Sequence, residues 1–422
     1  MLIELFGRNF GPFRDEFRLS LEAANIDPEV KGGVIEVPLE GEDEPLRLLR
    51  CAAIYGPNAS GKSSVLLAAA ALGFLLSRSA TFESDQPIPP YEPFLLDEWS
   101  ERPVMLGVRG VVKGRVYEYA VEFDKSRFVL ERLVECGPEK DEVLFKRDNQ
   151  EVSGSWTTEK QFNLFSDSFR PNALLLSLAD RFAPTLASGL SVGLRELLGH
   201  HDFASGASWF GVGNVAERAT KDASAFGDWL RDWIRHADVG VVDYDTVGIT
   251  HSPRPEEEGK TASLPRKPKM WMFKLKHAGP REPVPFHYGQ ESVGTHKMIE
   301  LAPYIYDLTH GDTDRAIFVD EMGASVHPAL LTAVIRQFNR DTPDDRVRGQ
   351  LIFAAHETAL FEGETKSAPL RRDQVYFTEK DSTGASSLFS MVEFKERNNL
   401  NLRKRYLQGR YGALPAPGPM GG

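Results

Sequence analysis

The stretch 56–63, GPNASGKS, constrains this chain more than any other feature. It fits G-x-x-x-x-G-K-[ST], directly behind the apolar run 48–55 (LLRCAAIY) and directly before an Ala- and Leu-rich stretch, 63–77, that reads as a helix. Glycines at the two ends let the backbone curl so that amide N–H groups face inward, toward phosphate oxygens. Lys62 then supplies positive charge to the β and γ phosphates, Ser63 a hydroxyl to Mg²⁺, and the helix N-terminus a favourable dipole. The nucleotide-binding residues expected from this loop are Gly56, Asn58, Ala59, Ser60, Gly61, Lys62, Ser63 and Ser64. A strand–loop–helix of this kind calls for an α/β fold.

Three further pieces carry chemistry. The run 316–321, AIFVDE, is four apolar strand residues ending in two carboxylates. Alone it is an ordinary strand terminus. Behind a phosphate-binding loop, Asp320 is a magnesium ligand and Glu321 a general base for water. The segment 291–295, ESVGT, opens a helix that runs from His296 onward. Ser292 and Gly294 there are either a plain N-cap or an anion site, and their place ahead of the Asp–Glu pair favours the second reading. His356 stands just past the strand 350–355 in LIFAAHETALF, either as a turn residue or as a group delivered to a site. One helix, 328–338, separates the two strands.

The rest of the chain is patterned as follows. Alternating apolar and polar residues at Leu2, Glu4, Phe6 and at Phe17, Leu19, Leu21 suggest a hairpin around Gly11-Pro12. Residues 103–137 read as a β meander with Lys-Gly and Asp-Lys turns. Residues 172–182, 190–198 and 223–236 read as mainly helical, and the Pro- and charge-rich stretch 252–268 as a mobile loop. No heptad pattern is sustained, which argues against a long coiled-coil arm.

Composition closes off several classes. Two cysteines, Cys51 and Cys136, are too few for a disulfide framework or a cysteine-rich zinc site. Neither a secretory signal nor an uninterrupted membrane span is visible, so a cytoplasmic protein without membrane contact is expected. Fifty Lys and Arg against 61 Asp and Glu leave a net charge of −11, so any nucleic acid would have to meet a local basic patch.

Taken in order, phosphate-binding loop, Ser-x-Gly signature, Asp-Glu and strand-end His resemble an ABC-type ATPase head of the RecF, SMC and OLD kind. They do not match the hexameric AAA motor pattern. More narrowly, ESVGTHKM, FVDEMGASVHP, LIFAAHETALF, DQVYFTEKD and RKRYLQGRYGALP resemble the RloA/AbiL group of bacterial ABC-like ATPases, which includes the ATPase subunit of PARIS antiphage systems. The likeness is loose over 1–55, strong at the motifs, almost continuous over 290–415, and one of element order over 91–281. It departs at Val293, which replaces the second glycine of the usual signature, and at the Q-loop, for which Gln86 is a candidate or a plain loop residue.

The resemblance implies an ABC-type head with a P-loop core sheet, an antiparallel β subdomain and an inserted helical region. The expected organisation is a first core half at 1–90, a β-rich insertion at 91–170, a helical and mixed insertion at 171–281, a second core half at 282–415 and a flexible tail at 416–422. It further implies that Lys62, Ser63 and Asp320 bind MgATP in one subunit, that Glu321 activates water and that His356 senses the γ-phosphate. Ser292 and Gly294 would reach the nucleotide of a second subunit, in a homodimer or a higher homo-oligomer. His327 either faces that partner or packs at a helix start. OLD-type relatives carry a TOPRIM nuclease domain after the ATPase. The stretch after His356 is too short for one and has no DxD pair, so any effector nuclease is expected to be a separate chain. The implied function is an ATP-hydrolysing sensor or scaffold of an antiphage system. The alternatives are a RecF-like DNA-maintenance ATPase and a nucleotide-gated binding protein with little turnover. The basic and aromatic segment 401–415 reads either as a surface for partner or nucleic acid or as a clasp in which Tyr406 and Leu407 pack on the core.

Overall fold

The computed structural model describes residues 1–26, 32–165, 169–202, 209–237, 240–249, 270–311, 314–339, 349–361, 368–394 and 402–414. The loop expected at 252–268 and the tail expected at 416–422 lie outside these described residues. The chain forms two compact units. One comprises Met1–Phe203, Gly311–Met322 and Thr332–Gly422, the other Ala204–His310 and Gly323–Leu331.

The first unit opens with the hairpin that the alternation predicts. β1 (Leu2–Arg8) and β2 (Phe17–Ser20) pair antiparallel with Glu4 opposite Ser20 and Gly7 opposite Phe17. A second antiparallel pair, β3 (Val34–Val37) and β4 (Leu46–Leu49), brackets the acidic stretch 38–45, PLEGEDEP. β5 (Cys51–Tyr55) is buried at every residue. α1 (Lys62–Arg78) buries Val65, Leu66, Ala69, Leu72 and Leu76, the three-and-four spacing of one helix face. By length and composition alone, Lys62–Thr81 could cross a membrane, but half of it is buried inside the protein.

The meander consists of β6 (Val104–Val112), β7 (Arg115–Phe123), β8 (Phe128–Cys136), β9 (Glu142–Asp148) and β10 (Glu151–Ser153). It does not stand alone. β6 pairs with β1, giving one seven-stranded antiparallel sheet in the order β10-β9-β8-β7-β6-β1-β2. α2 (Leu175–Phe182), α3 (Pro184–Ala187) and α4 (Leu190–Leu198) follow, then β11 (His200–Asp202). The first turn of α2 is capped from the sheet. The buried Glu131 carboxylate accepts from the Leu175 and Leu176 amides at 2.6 and 2.9 Å and from the Tyr119 hydroxyl at 2.8 Å. Burial raises the pKa of Glu131, opposed by Arg147 and these donors.

The second unit contains α5 (Trp209–Lys221), α6 (Asp228–Ala237), the antiparallel strands β12 (Val241–Ile249), β13 (Met270–His277) and β14 (Val284–His287), and α7 (Val293–His310). Its core is Phe226, Leu230, Ile234, Phe273, Leu275 and Ile299 with their neighbours. The helix read at 223–236 begins as a π turn, Ala223–Gly227, because the Asp222 side chain accepts from the Phe226 amide. α7, the longest helix among the described residues, has 18 residues.

The chain then runs through β15 (Ala316–Val319), α8 (Pro328–Phe338), β16 (Gln350–Ala354), β17 (Val375–Lys380), β18 (Ser386–Ser390) and α9 (Leu402–Leu407). The second sheet of the first unit has the order β11-β15-β16-β5-β17-β18 and is parallel except for β18. AIFV, QLIFA and CAAIY are buried at every position, as strands covered on both faces require. The loops leaving β5, β15, β16 and β17 therefore share the carboxyl edge, where open α/β sheets place their ligands. Gln350, fully buried, ties the two sheets. Its Oε1 accepts from the Leu2 amide at 2.7 Å, and its Nε2 donates to the Leu2 and Leu49 carbonyls.

The C-terminal segment docks as an aromatic clasp. Tyr406 and Tyr411 are buried and stack on Phe377 of β17 at 5.6 and 5.3 Å, with Tyr406 edge-on to Tyr55 and Phe361. Leu407, expected to pack beside Tyr406, is instead 55% exposed, since one turn of helix buries one face. Truncating a buried aromatic costs about 3 kcal/mol or more. Tyr406→Ala is therefore expected to lower the melting temperature by several degrees. An unchanged thermal transition would show that the stack contributes nothing to stability.

Candidate nucleotide site

The site is built on the loop between β5 and α1. Gly61 caps α1 at φ 106°, a left-handed conformation that glycine accepts freely, and a Cβ there would stand 2.9 Å from the Phe13 ring. At Gly56 a Cβ would run into the hydroxyl and carbonyl of Thr378. The loop is thus wedged between the β1–β2 turn and β17, and only glycine fits at either end. Asn58 and Ala59 form its exposed crown, with Ala59 at φ 60°. Ser60 is buried, and Ser63 and Ser64 are half-buried in the first turn of α1.

Lys62 is buried and turned back on the loop, its Nζ donating to the carbonyls of Gly56 at 2.9 Å and Pro57 at 2.8 Å. Burial lowers its pKa, and the charges of Asp320 and Glu321 oppose that. Two neutral carbonyls are weak partners for a buried ammonium. Phosphate oxygens would be much stronger ones.

β15 delivers the carboxylates. Asp320, half-buried, accepts from the Glu321 amide at 3.0 Å, and Glu321 sits exposed at φ 48°. The next residue, Met322, is buried and its amide donates to the Ala354 carbonyl at 3.1 Å, which anchors the turn to β16. β16, lying between β15 and β5, carries His356 just past its end. Burial and the charge of Lys62 push the His356 pKa below its ordinary value, against Glu321 and Asp320, so the imidazole is neutral at pH 7. The Tyr55 hydroxyl donates to the carbonyl of the adjacent Glu357 at 3.1 Å. Lys62, Asp320, Glu321 and His356 thus lie within one electrostatic neighbourhood. The hydroxyl of Ser63 and the carboxylate of Asp320 are hard oxygen donors of the kind Mg²⁺ takes alongside phosphate oxygens.

Ser292 and Gly294 belong to the second unit. The Ser292 Oγ accepts from the Thr295 amide at 3.0 Å and lies 2.8 Å from the Thr295 hydroxyl, capping α7. α7 starts at Val293, earlier than the helix read from residue 296 onward, because that cap closes the first turn. A Cβ at Gly294 would press on the Ser325 carbonyl, and Val293 between them is 64% exposed. The His327 Nδ1 accepts from the Ala329 amide at the start of α8. The Gln86 side chain accepts from the Glu83 amide, closing a local turn. Thr378, Tyr55 and Phe13 were not singled out from sequence. All three act through residues far away in the chain, and the only signal was that Thr378 lies in DQVYFTEKD.

A family model described as "AAA domain, putative AbiEii toxin, Type IV TA system" matches residues 51–362. No curated protein matches the chain. Among solved structures, an SMC head domain from Thermotoga maritima is similar at 14% identity and a TM-score of 0.40, covering 92% of this chain and 98% of that one.

Proposed function

The chain belongs to this AAA-domain family, and from that premise we propose that it is an ATPase that hydrolyses MgATP at the carboxyl edge of its parallel sheet. The observation that carries this reading is the placement of Lys62, buried against loop carbonyls within the field of Asp320, Glu321 and His356. Lys62 and the loop amides hold the phosphates. Ser63 and Asp320 would hold Mg²⁺, which would draw charge from the phosphate oxygens. Glu321 takes a proton from the attacking water as its oxygen bonds the γ-phosphorus and the bond to the β–γ bridging oxygen breaks. His356 donates a hydrogen bond to the γ-phosphate. Ser292 and Gly294 of a second copy complete the site in an ABC-type sandwich dimer, the arrangement favoured by the Ser-x-Gly turn at the α7 N-terminus.

We further propose that this turnover controls a separate effector in a bacterial antiphage system of the RloA/AbiL kind. The motifs at 290–415 support that assignment, and the family's description names a toxin of a type IV TA system. Copurification of a nuclease or toxin chain from native cells is the expected result. Salt-dependent DNA affinity of the isolated protein, with no such chain, would favour the RecF-like reading.

Lys62→Ala tests the nucleotide reading. Loss of the ammonium should weaken ATP binding at least about tenfold, or about 1.4 kcal/mol. Unchanged affinity in titration calorimetry would overturn the assignment of the loop.

A further inference from the structure

Thr378 lies in β17, more than three hundred residues beyond the phosphate-binding loop, yet it is fully buried against it. Its Oγ1 is 2.6 Å from the Ser60 Oγ and 3.3 Å from the Tyr55 carbonyl. The Ser60 Oγ is 2.8 Å from the Pro57 carbonyl. Ser60 donates to the Pro57 carbonyl and Thr378 to the Tyr55 carbonyl, and the close contact between the two hydroxyls, in which either can donate, links them. The result is a chain of hydrogen bonds from Thr378 through Ser60 to the Pro57 carbonyl.

That same carbonyl also accepts from Lys62, which bonds Gly56 and Pro57 together. When Lys62 turns to a phosphate it gives up carbonyl contact, and the Ser60 hydroxyl, beside the longer bond from the Ser60 amide, still holds Pro57. The absence of a Cβ at Gly56 lets the loop lie directly on Thr378, so the hydroxyl is at bonding distance. We propose that Thr378 is a positioning residue for nucleotide binding: a latch that keeps the loop in its phosphate-ready shape while Lys62 exchanges carbonyls for phosphate.

This inference rests on the ATP-binding reading above, and the test separates the two. Affinity for a non-hydrolysable ATP analogue with Mg²⁺ is measured by calorimetry on the full chain, with melting temperature recorded alongside. Thr378→Val keeps shape but removes the hydroxyl, and should weaken binding about five- to tenfold, the scale of one buried hydrogen bond. Thr378→Ser should restore affinity to within about twofold. Ser60→Ala breaks the same chain from its other end and should match Thr378→Val, with the double variant no worse than the weaker single one. This arm also decides the matter if Thr378→Val does not fold. Wild-type affinity in either folded single variant, or no rescue by serine, overturns the latch. A wild-type protein that binds no nucleotide overturns the ATP reading, and the latch with it.

Discussion

Glu321→Gln is expected to lower ATP hydrolysis by roughly 10²-fold or more while nucleotide binding survives. Glutamine keeps the size and hydrogen-bonding reach of the side chain but cannot take a proton from water. The residue is exposed at the carboxyl edge with φ 48°, so its backbone conformation is set by the turn, which the Met322 amide anchors to Ala354. The substitution leaves that anchor alone, so the fold should be unaffected. Blocked chemistry with intact binding also predicts that ATP-bound dimers accumulate, which sedimentation or light scattering can read. Single-turnover hydrolysis at the wild-type rate would move the base elsewhere, and His356, neutral at pH 7 through its burial and the charge of Lys62, would be next.

Ser292→Arg is expected to abolish hydrolysis while ATP binding to the single subunit stays nearly intact. The side chain caps α7 through the Thr295 amide, and beside it Val293 is open to solvent. An arginine there puts bulk and charge where a second subunit's nucleotide would approach. Loss of the cap itself costs about 1 kcal/mol, so a modest fall in melting temperature accompanies the effect. Mixing Ser292→Arg with Lys62→Ala then distinguishes a site completed in trans from one completed within the chain. In a head-to-tail heterodimer one of the two sites has an intact loop facing an intact Ser-x-Gly turn, so part of the activity returns. Mixed dimers that form and show no activity would rule out that arrangement.

Much of the local structure was legible before any tertiary information. GPNASGKS between an apolar run and an Ala- and Leu-rich stretch is a strand–loop–helix because each part has its own local cause: continuous apolar residues for a strand covered on both faces, glycines for the curl, three-and-four spacing for the helix. AIFVDE, the helix Pro328–Phe338 and the strand behind His356 were readable for the same reason. The hairpin around Gly11-Pro12 was too, since the alternation on either side of that pair marks both strands.

Other features depend on pairing across hundreds of residues, on which local patterning is silent. Nothing within AIFVDE or LIFAAHE says that β16 inserts between β15 and β5, the arrangement that puts His356 in the electrostatic neighbourhood of Lys62. The meander was readable as strands, but not its union with β1, because an edge that can accept a partner does not name one. The Gln350 link to Leu2 and the contact of Thr378 with Ser60 are likewise set by packing. Local patterning set which elements form and which residue types stand at their ends. Packing set which of those ends meet, because a buried hydrogen-bonding group is satisfied by whatever the packed sheets bring to it, however distant in the chain.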